Sequence, residues 1–158
     1  MKTYVLAVSR YFPTTHSRKG EPTWFVAKIL AGQNIDSNMW SKIHTIRKNY
    51  PLWAKRMSEV QAGRAVIELF YWKLKGGRFT KGNEKIVFAT LDKDSGCGVQ
   101  ELTFENKYIY IPKVDNKHIE GYGIAKNDGL NWTDFKDWFK KYDLSEPLAI
   151  ICFIKFRY

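Results

Sequence analysis

Residues 51–72 run Pro51-Leu52-Trp53-Ala54-Lys55-Arg56-Met57-Ser58-Glu59-Val60-Gln61-Ala62-Gly63-Arg64-Ala65-Val66-Ile67-Glu68-Leu69-Phe70-Tyr71-Trp72. Pro51 suits the first turn of a helix and Gly63 sits where a helix stops, so Pro51–Ala62 is expected to be helical. The β-branched and aromatic run Arg64–Trp72 behind it is the clearest strand of the chain. A helix delivered straight into a strand already implies a mixed fold.

Downstream, the strand breaks at Gly76-Gly77. Lys85–Leu91 follows as another strand, then a Ser95-Gly96-Cys97-Gly98 turn, then Val99–Phe104 and Lys107–Ile111 as a hairpin around Glu105-Asn106. Asn131 followed three residues later by Asp134 resembles a capping box. Trp132, Phe135, Phe139 and Tyr142, with Trp138 beside them, recur at helical spacing. Leu148–Ile154 is a continuous apolar run, the pattern of a strand covered on both faces. Upstream, Ile43–Arg47 is short and β-branched, and Gln33–Ser41 reads as a polar loop. Pro22 suits the start of a helix that carries Trp24, Phe25, Ala27, Ile29 and Leu30 toward a core and stops at Gly32. Tyr4–Ser9 reads as a first strand. Short strands with about three helices between them predict one α+β domain over residues 1–158, a curved sheet or small barrel flanked by helices.

Of 158 residues, 44% are hydrophobic and 16% aromatic, too many for a disordered tail. Two cysteines are too few for a disulfide framework, and no Cys or His pair has metal-ligand spacing, so no metal is expected. No stretch approaches the roughly 18 apolar residues of a membrane span, and the N-terminal apolar stretch is too short for a signal segment. A cytoplasmic protein with no membrane partner is the expectation. The formal charge is +10, and all of the excess lies in residues 1–79, which hold 14 Lys and Arg against 4 Asp and Glu. That half is where an anionic partner is expected to dock.

The densest polar constellation is Lys42-Ile43-His44-Thr45-Ile46-Arg47-Lys48-Asn49-Tyr50. If Ile43–Arg47 is extended, Lys42, His44 and Ile46 share one face and Ile43, Thr45 and Arg47 the other. The plainest account is an edge strand whose charges prevent pairing with other chains.

Taken in order, Phe25-x-x-Lys28-Ile29-Leu30-Ala31-Gly32, the Lys42–Arg47 element and Gly63 opening a strand resemble the ASCH domain family, a PUA-like β-barrel. In that family a helix ending in Gly is followed by K-x-x-T-x-R and then by a Gly that starts the next strand. Asp128-Gly129-Leu130 leading into Trp132–Tyr142 is similar to the family's acid-Gly-apolar element before an aromatic helix and a last apolar strand. Two departures stand out: Gln33–Ser41 is longer than the connection in small members, and Asp128 stands where Glu is more common.

The resemblance implies RNA or nucleotide binding in a cleft, or hydrolysis without metal or cofactor. The small bacterial N4-acetylcytidine amidohydrolases of this type use a Lys, a Thr and a Glu at positions matching Lys42, Thr45 and Asp128. Amide hydrolysis needs a nucleophile, a proton acceptor and oxyanion donors. Thr45 attacking or positioning water, Lys42 as base after desolvation, Asp128 as proton shuttle and Arg47 as charge stabiliser meet those needs.

For binding RNA or a modified nucleotide, Arg10, His16, Arg18 and Lys19 in the first loop and Arg47, Lys48, Lys55 and Arg56 further on supply cations. Tyr11, Phe12, Trp40, Tyr50, Trp53 and Tyr71 are interleaved with them as stacking candidates. Trp53 and Tyr71 suit a core better, and Trp40 a stacking platform. His44 is a second acid-base candidate. Glu68 is expected to line a polar cavity, pair with Arg64 or face solvent, and Asp92-Lys93-Asp94-Ser95-Gly96 is expected to be a turn. A third reading is a protein-interaction module whose basic face meets an acidic partner.

Overall fold

The computed structural model describes residues 1–33 and 40–158. The helix of the decisive stretch spans Tyr50–Gln61 (α2), with Asn49 as N-cap accepting from Leu52 N and Pro51 in its first turn. Its stripe Trp53, Met57 and Val60 is buried. The strand behind it spans Ala65–Trp72 (β3) and lies between Lys2–Ala7 (β1), parallel to it, and Lys85–Leu91 (β4), antiparallel to it. A parallel pair needs a long crossover. Here it consists of Phe25–Gln33 (α1), His44–Lys48 (β2) and α2.

A second, antiparallel sheet runs β2, Leu148–Cys152 (β8), Gly98–Phe104 (β5), Pro112–Val114 (β6), Lys117–His118 (β7). All five residues of β8 are buried, because the strand lies between β2 and β5 and under the helices. The α2 helix touches β3, β5 and β8, so its apolar stripe joins both sheets in one buried cluster. Gly121–Asn127 (α3) and Trp132–Phe139 (α4) close the other side, α4 capped by Asn131, whose Oδ1 accepts from Asp134 N at 2.8 Å.

The α+β class stands, but the strands form two open sheets and, among the described residues, no closed barrel. The expected strand Lys107–Ile111 is instead two successive turns, Tyr108 N donating to the Glu105 carbonyl and Ile111 N to the Tyr108 carbonyl. Asn106 and Lys107 take positive φ, and β5 pairs with the later β6. The α3 helix had no expectation in the sequence.

The first helix starts later than Pro22 implies and runs through Gly32. Trp24, read as core, takes φ 61° just outside the helix and is 65% exposed, and Leu30 is exposed too. A Cβ on Gly32 would lie 3.2 Å from the Lys42 carbonyl, so the glycine permits close packing rather than ending the helix. Of the predicted loop Gln33–Ser41, Gln33 belongs to α1 and residues 34–39 lie outside the described residues. Among the described residues no helix is long and apolar enough to cross a membrane.

Candidate functional site

Lys42 and Ile43 are stitched to three elements. Lys42 N donates to the Lys28 carbonyl of α1, Ile43 N to the Asn127 carbonyl at the end of α3, and the Ile43 carbonyl accepts from Phe153 N beyond β8. The Lys42 side chain is thereby drawn inward, 2% exposed, with its ammonium 4.2 Å from the Phe25 ring centroid. It donates to Asp128 Oδ1 at 2.5 Å and to the Asp128 carbonyl at 2.6 Å. Asp128 caps α3, and Gly129 behind it takes φ 78° with an absent Cβ that would meet Lys42 Cβ at 3.0 Å. The Asp-Gly pair therefore lets the α3 turn close over the lysine.

Sequence-separated residues meet here: Lys42, Thr45, Arg47 and Asp128 line one cavity with Ser9 and Phe25. Its volume is about 20 Å³, room for one water. Thr45 Oγ1 accepts from Arg47 Nη1 at 2.9 Å, and Arg47 Nη2 donates to the Ala7 carbonyl at 2.5 Å. His44 is fully buried, its Nε2 2.8 Å from the Tyr158 hydroxyl and its Nδ1 3.7 Å from Asp128 Oδ1 with no hydrogen-bond partner. Burial lowers the Lys42 ammonium to about 8 although Asp128 opposes the shift, and burial also lowers His44. Burial alone would raise the Asp128 carboxyl, but Lys42 and His44 more than offset it and hold it below its ordinary value. Burial lowers Arg47 as well.

The expected binding cations do not share one face. Arg10 stands between Tyr71 and Tyr11, at 4.9 and 5.4 Å from their ring centroids, and donates from Nη2 to the Lys73 carbonyl at 2.7 Å. His16 is buried, its Nδ1 accepting from Arg18 N and its Nε2 3.1 Å from the Asp134 carbonyl, so it holds the first loop to α4 and does not reach a phosphate. Arg18 pairs with Glu21 and Asp134 at 2.7 and 2.6 Å, while Lys19 is exposed. Lys48 shares a cavity with Glu101, Asp143 and Glu146 and stands over Tyr142. Lys55 is exposed on α2, and Arg56 covers Tyr4 and Trp53. Trp40 donates from its indole to the Lys126 carbonyl and stacks under Lys28. Phe12 and Trp53 are core. Glu68 is half-buried and makes no ion pair with Arg64 among the described residues, and Asp92 Oδ1 closes its turn on Ser95.

The structure adds a place where Arg10 is not alone. An open cavity of about 400 Å³ is walled by Arg10, Tyr11, Trp24, Phe25, Leu30 and Tyr71, between the first loop, α1 and β3. That volume suits a small ligand. Phe25 is common to this cavity and the closed one. Lys73 and Lys75 stand beside Arg10 and Tyr11, and the charge run they open, Lys73–Lys85 with five Lys and Arg to one Glu, is the feature of the sequence that could have drawn attention here. Among the described residues no three His, Cys, Asp or Glu gather as metal ligands. A scan of protein-family models returned no match to the chain, and searches of curated proteins and of solved structures likewise returned none.

Proposed function

We propose that the chain is an ASCH-type domain that binds RNA or a nucleotide by seating a base in the open cavity beside Arg10. The carrying observation is that cavity: aromatic walls, an indole 65% exposed at Trp24, and a guanidinium braced between two tyrosine rings. Stacking is worth about 1–3 kcal/mol per base and tolerates any base, while the cation meets the phosphate. This reading moves the ligand out of the closed Lys42 cavity and into its open neighbour. The free, buried Cys97 and Cys152 fit the reducing cytoplasmic setting that such a role carries with it.

One observation favours a second reading, hydrolysis of an acylated nucleoside such as N4-acetylcytidine: Lys42, Thr45 and Asp128 border a single cavity. A base held against Phe25 would stand one ring away from them. Hydrolysis then requires Phe25 to swing aside, because the closed cavity admits one water. One set of proteins tests both readings. Wild type, Trp24→Ala and Thr45→Ala are titrated by fluorescence anisotropy with a labelled single-stranded RNA at low salt and assayed for acetate release from N4-acetylcytidine. Binding lost in Trp24→Ala and kept in Thr45→Ala is the expected result. No binding by the wild type removes the first reading, and acetate release that depends on Thr45 puts the second in its place.

A further inference from the structure

The open cavity has a neighbour. A second cavity of about 330 Å³ lies between the end of β1 and the turn after β3, walled by Ser9, Arg10, Tyr11, Trp72, Leu74 and Lys75 among others. Arg10 and Tyr11 belong to both walls, so the two spaces adjoin across this pair. Each lobe has its own indole, Trp24 in the first and the half-exposed Trp72 in the second. Between them stand the cations. Arg10 lends one Nη to the Lys73 carbonyl, its Nε is buried without an acceptor among the described residues, and the Lys75 ammonium lies 4.3 Å from the Tyr11 ring centroid.

Among the described residues no carboxylate pairs with Arg10, so its charge is left for an anion outside the fold. The sequence of surfaces is indole-bearing lobe, cation, indole-bearing lobe. Two neighbouring bases joined through a phosphodiester have the complementary order, ring, anion, ring. An acidic peptide matches the anion but fills both lobes only if an aromatic residue stands on each side of the acid. The basic run Lys73–Lys85 continues from the second lobe and offers charge to further phosphates.

We propose that the two lobes take two consecutive nucleotides of one RNA single strand, one base against Trp24 and the next against Trp72, with the linking phosphate over Arg10 and Lys75. This rests on the base-binding reading and adds to it the length of the ligand. Isothermal titration at low salt compares 5′-CMP with the ribodinucleotide CpC. The dinucleotide carries less phosphate charge, so tighter binding by it reports the second lobe.

CpC is expected to bind at least about 10-fold tighter than CMP. Trp24→Ala and, at the exposed position in the second lobe, Leu74→Glu are each expected to weaken CpC about 5- to 150-fold, the range for one lost stacking site. Circular dichroism confirms that both variants are folded. If CpC binds no tighter than CMP, or Leu74→Glu leaves CpC unaffected, the two-lobe assignment is overturned and base binding beside Arg10 survives. If neither ligand binds the wild type, the base-binding reading itself fails.

Discussion

The closed cavity around Lys42 and the open cavity around Arg10 share Phe25 as a wall and each set an arginine among aromatic rings, yet they are in opposite states. In the closed one the lysine has two acceptors on Asp128, the arginine has Thr45 and Ala7, and among the described residues His44 Nδ1 lacks a partner. In the open one a guanidinium Nε has none, and an indole faces solvent. Density of charge in the sequence therefore does not tell which polar groups the fold leaves unanswered.

The largest expected effect comes from breaking the closed side. Asp128→Ala leaves a buried ammonium without its carboxylate and is expected to cost about 3–5 kcal/mol in urea unfolding. Adding Lys42→Met should recover most of that loss, since the double variant removes both charges. A cost for Asp128→Ala no greater than that of a surface change, about 0.5 kcal/mol, would mean that the pair is not the closed, self-satisfied unit described.

Next is pH. The Lys42 ammonium is lowered from 10.5 to about 8 by burial, so between those values the unfolded chain binds more protons there than the folded one. Stability relative to Lys42→Met should then rise as pH goes from about 8 towards 10.5, measured by denaturant titrations at each pH. At the acid end the sign reverses: the lowered Asp128 carboxyl contributes stability above its ordinary value of 3.8, lost as pH falls below it. A flat difference between pH 8 and 10.5 would remove the desolvated lysine from the comparison.

The smallest effect on stability belongs to the open side. Trp24→Gly removes a positive-φ tryptophan that is mostly exposed, so its stability should stay within about 1 kcal/mol of wild type while RNA affinity falls. Thermal melts read beside anisotropy check this. A large destabilisation would make Trp24 a structural residue rather than a binding platform.

Local patterns were legible where local physics decides. The helix over residues 50–61, the strand ending at Trp72, the Asn131 cap and the buried β8 follow from cap chemistry, β-branching and apolar runs. The gathering of Lys42, Thr45, Arg47 and Asp128 was legible through ordered motifs. Trp24 was misread because apolarity argues for core, whereas its φ of 61° turns it outward. The hairpin after Phe104 was misplaced because Asn106 and Lys107 leave the strand conformation, which moves the pairing to Pro112–Val114. His16 and Arg18 looked like free cations, and only their approach to Asp134, more than a hundred residues away, shows them engaged.

By itself the sequence determined the α+β class, most element positions, a charge excess confined to residues 1–79, and which polar residues belong together near Lys42. The tertiary structure alone decided that the described residues form two open sheets and no closed barrel, that the Lys42 cluster is sealed, and that the charge is divided among several places. The reason is range. Caps, turns and periodicity act over a few residues, whereas desolvation and pairing depend on groups brought together from 86 residues apart, as in Lys42 and Asp128.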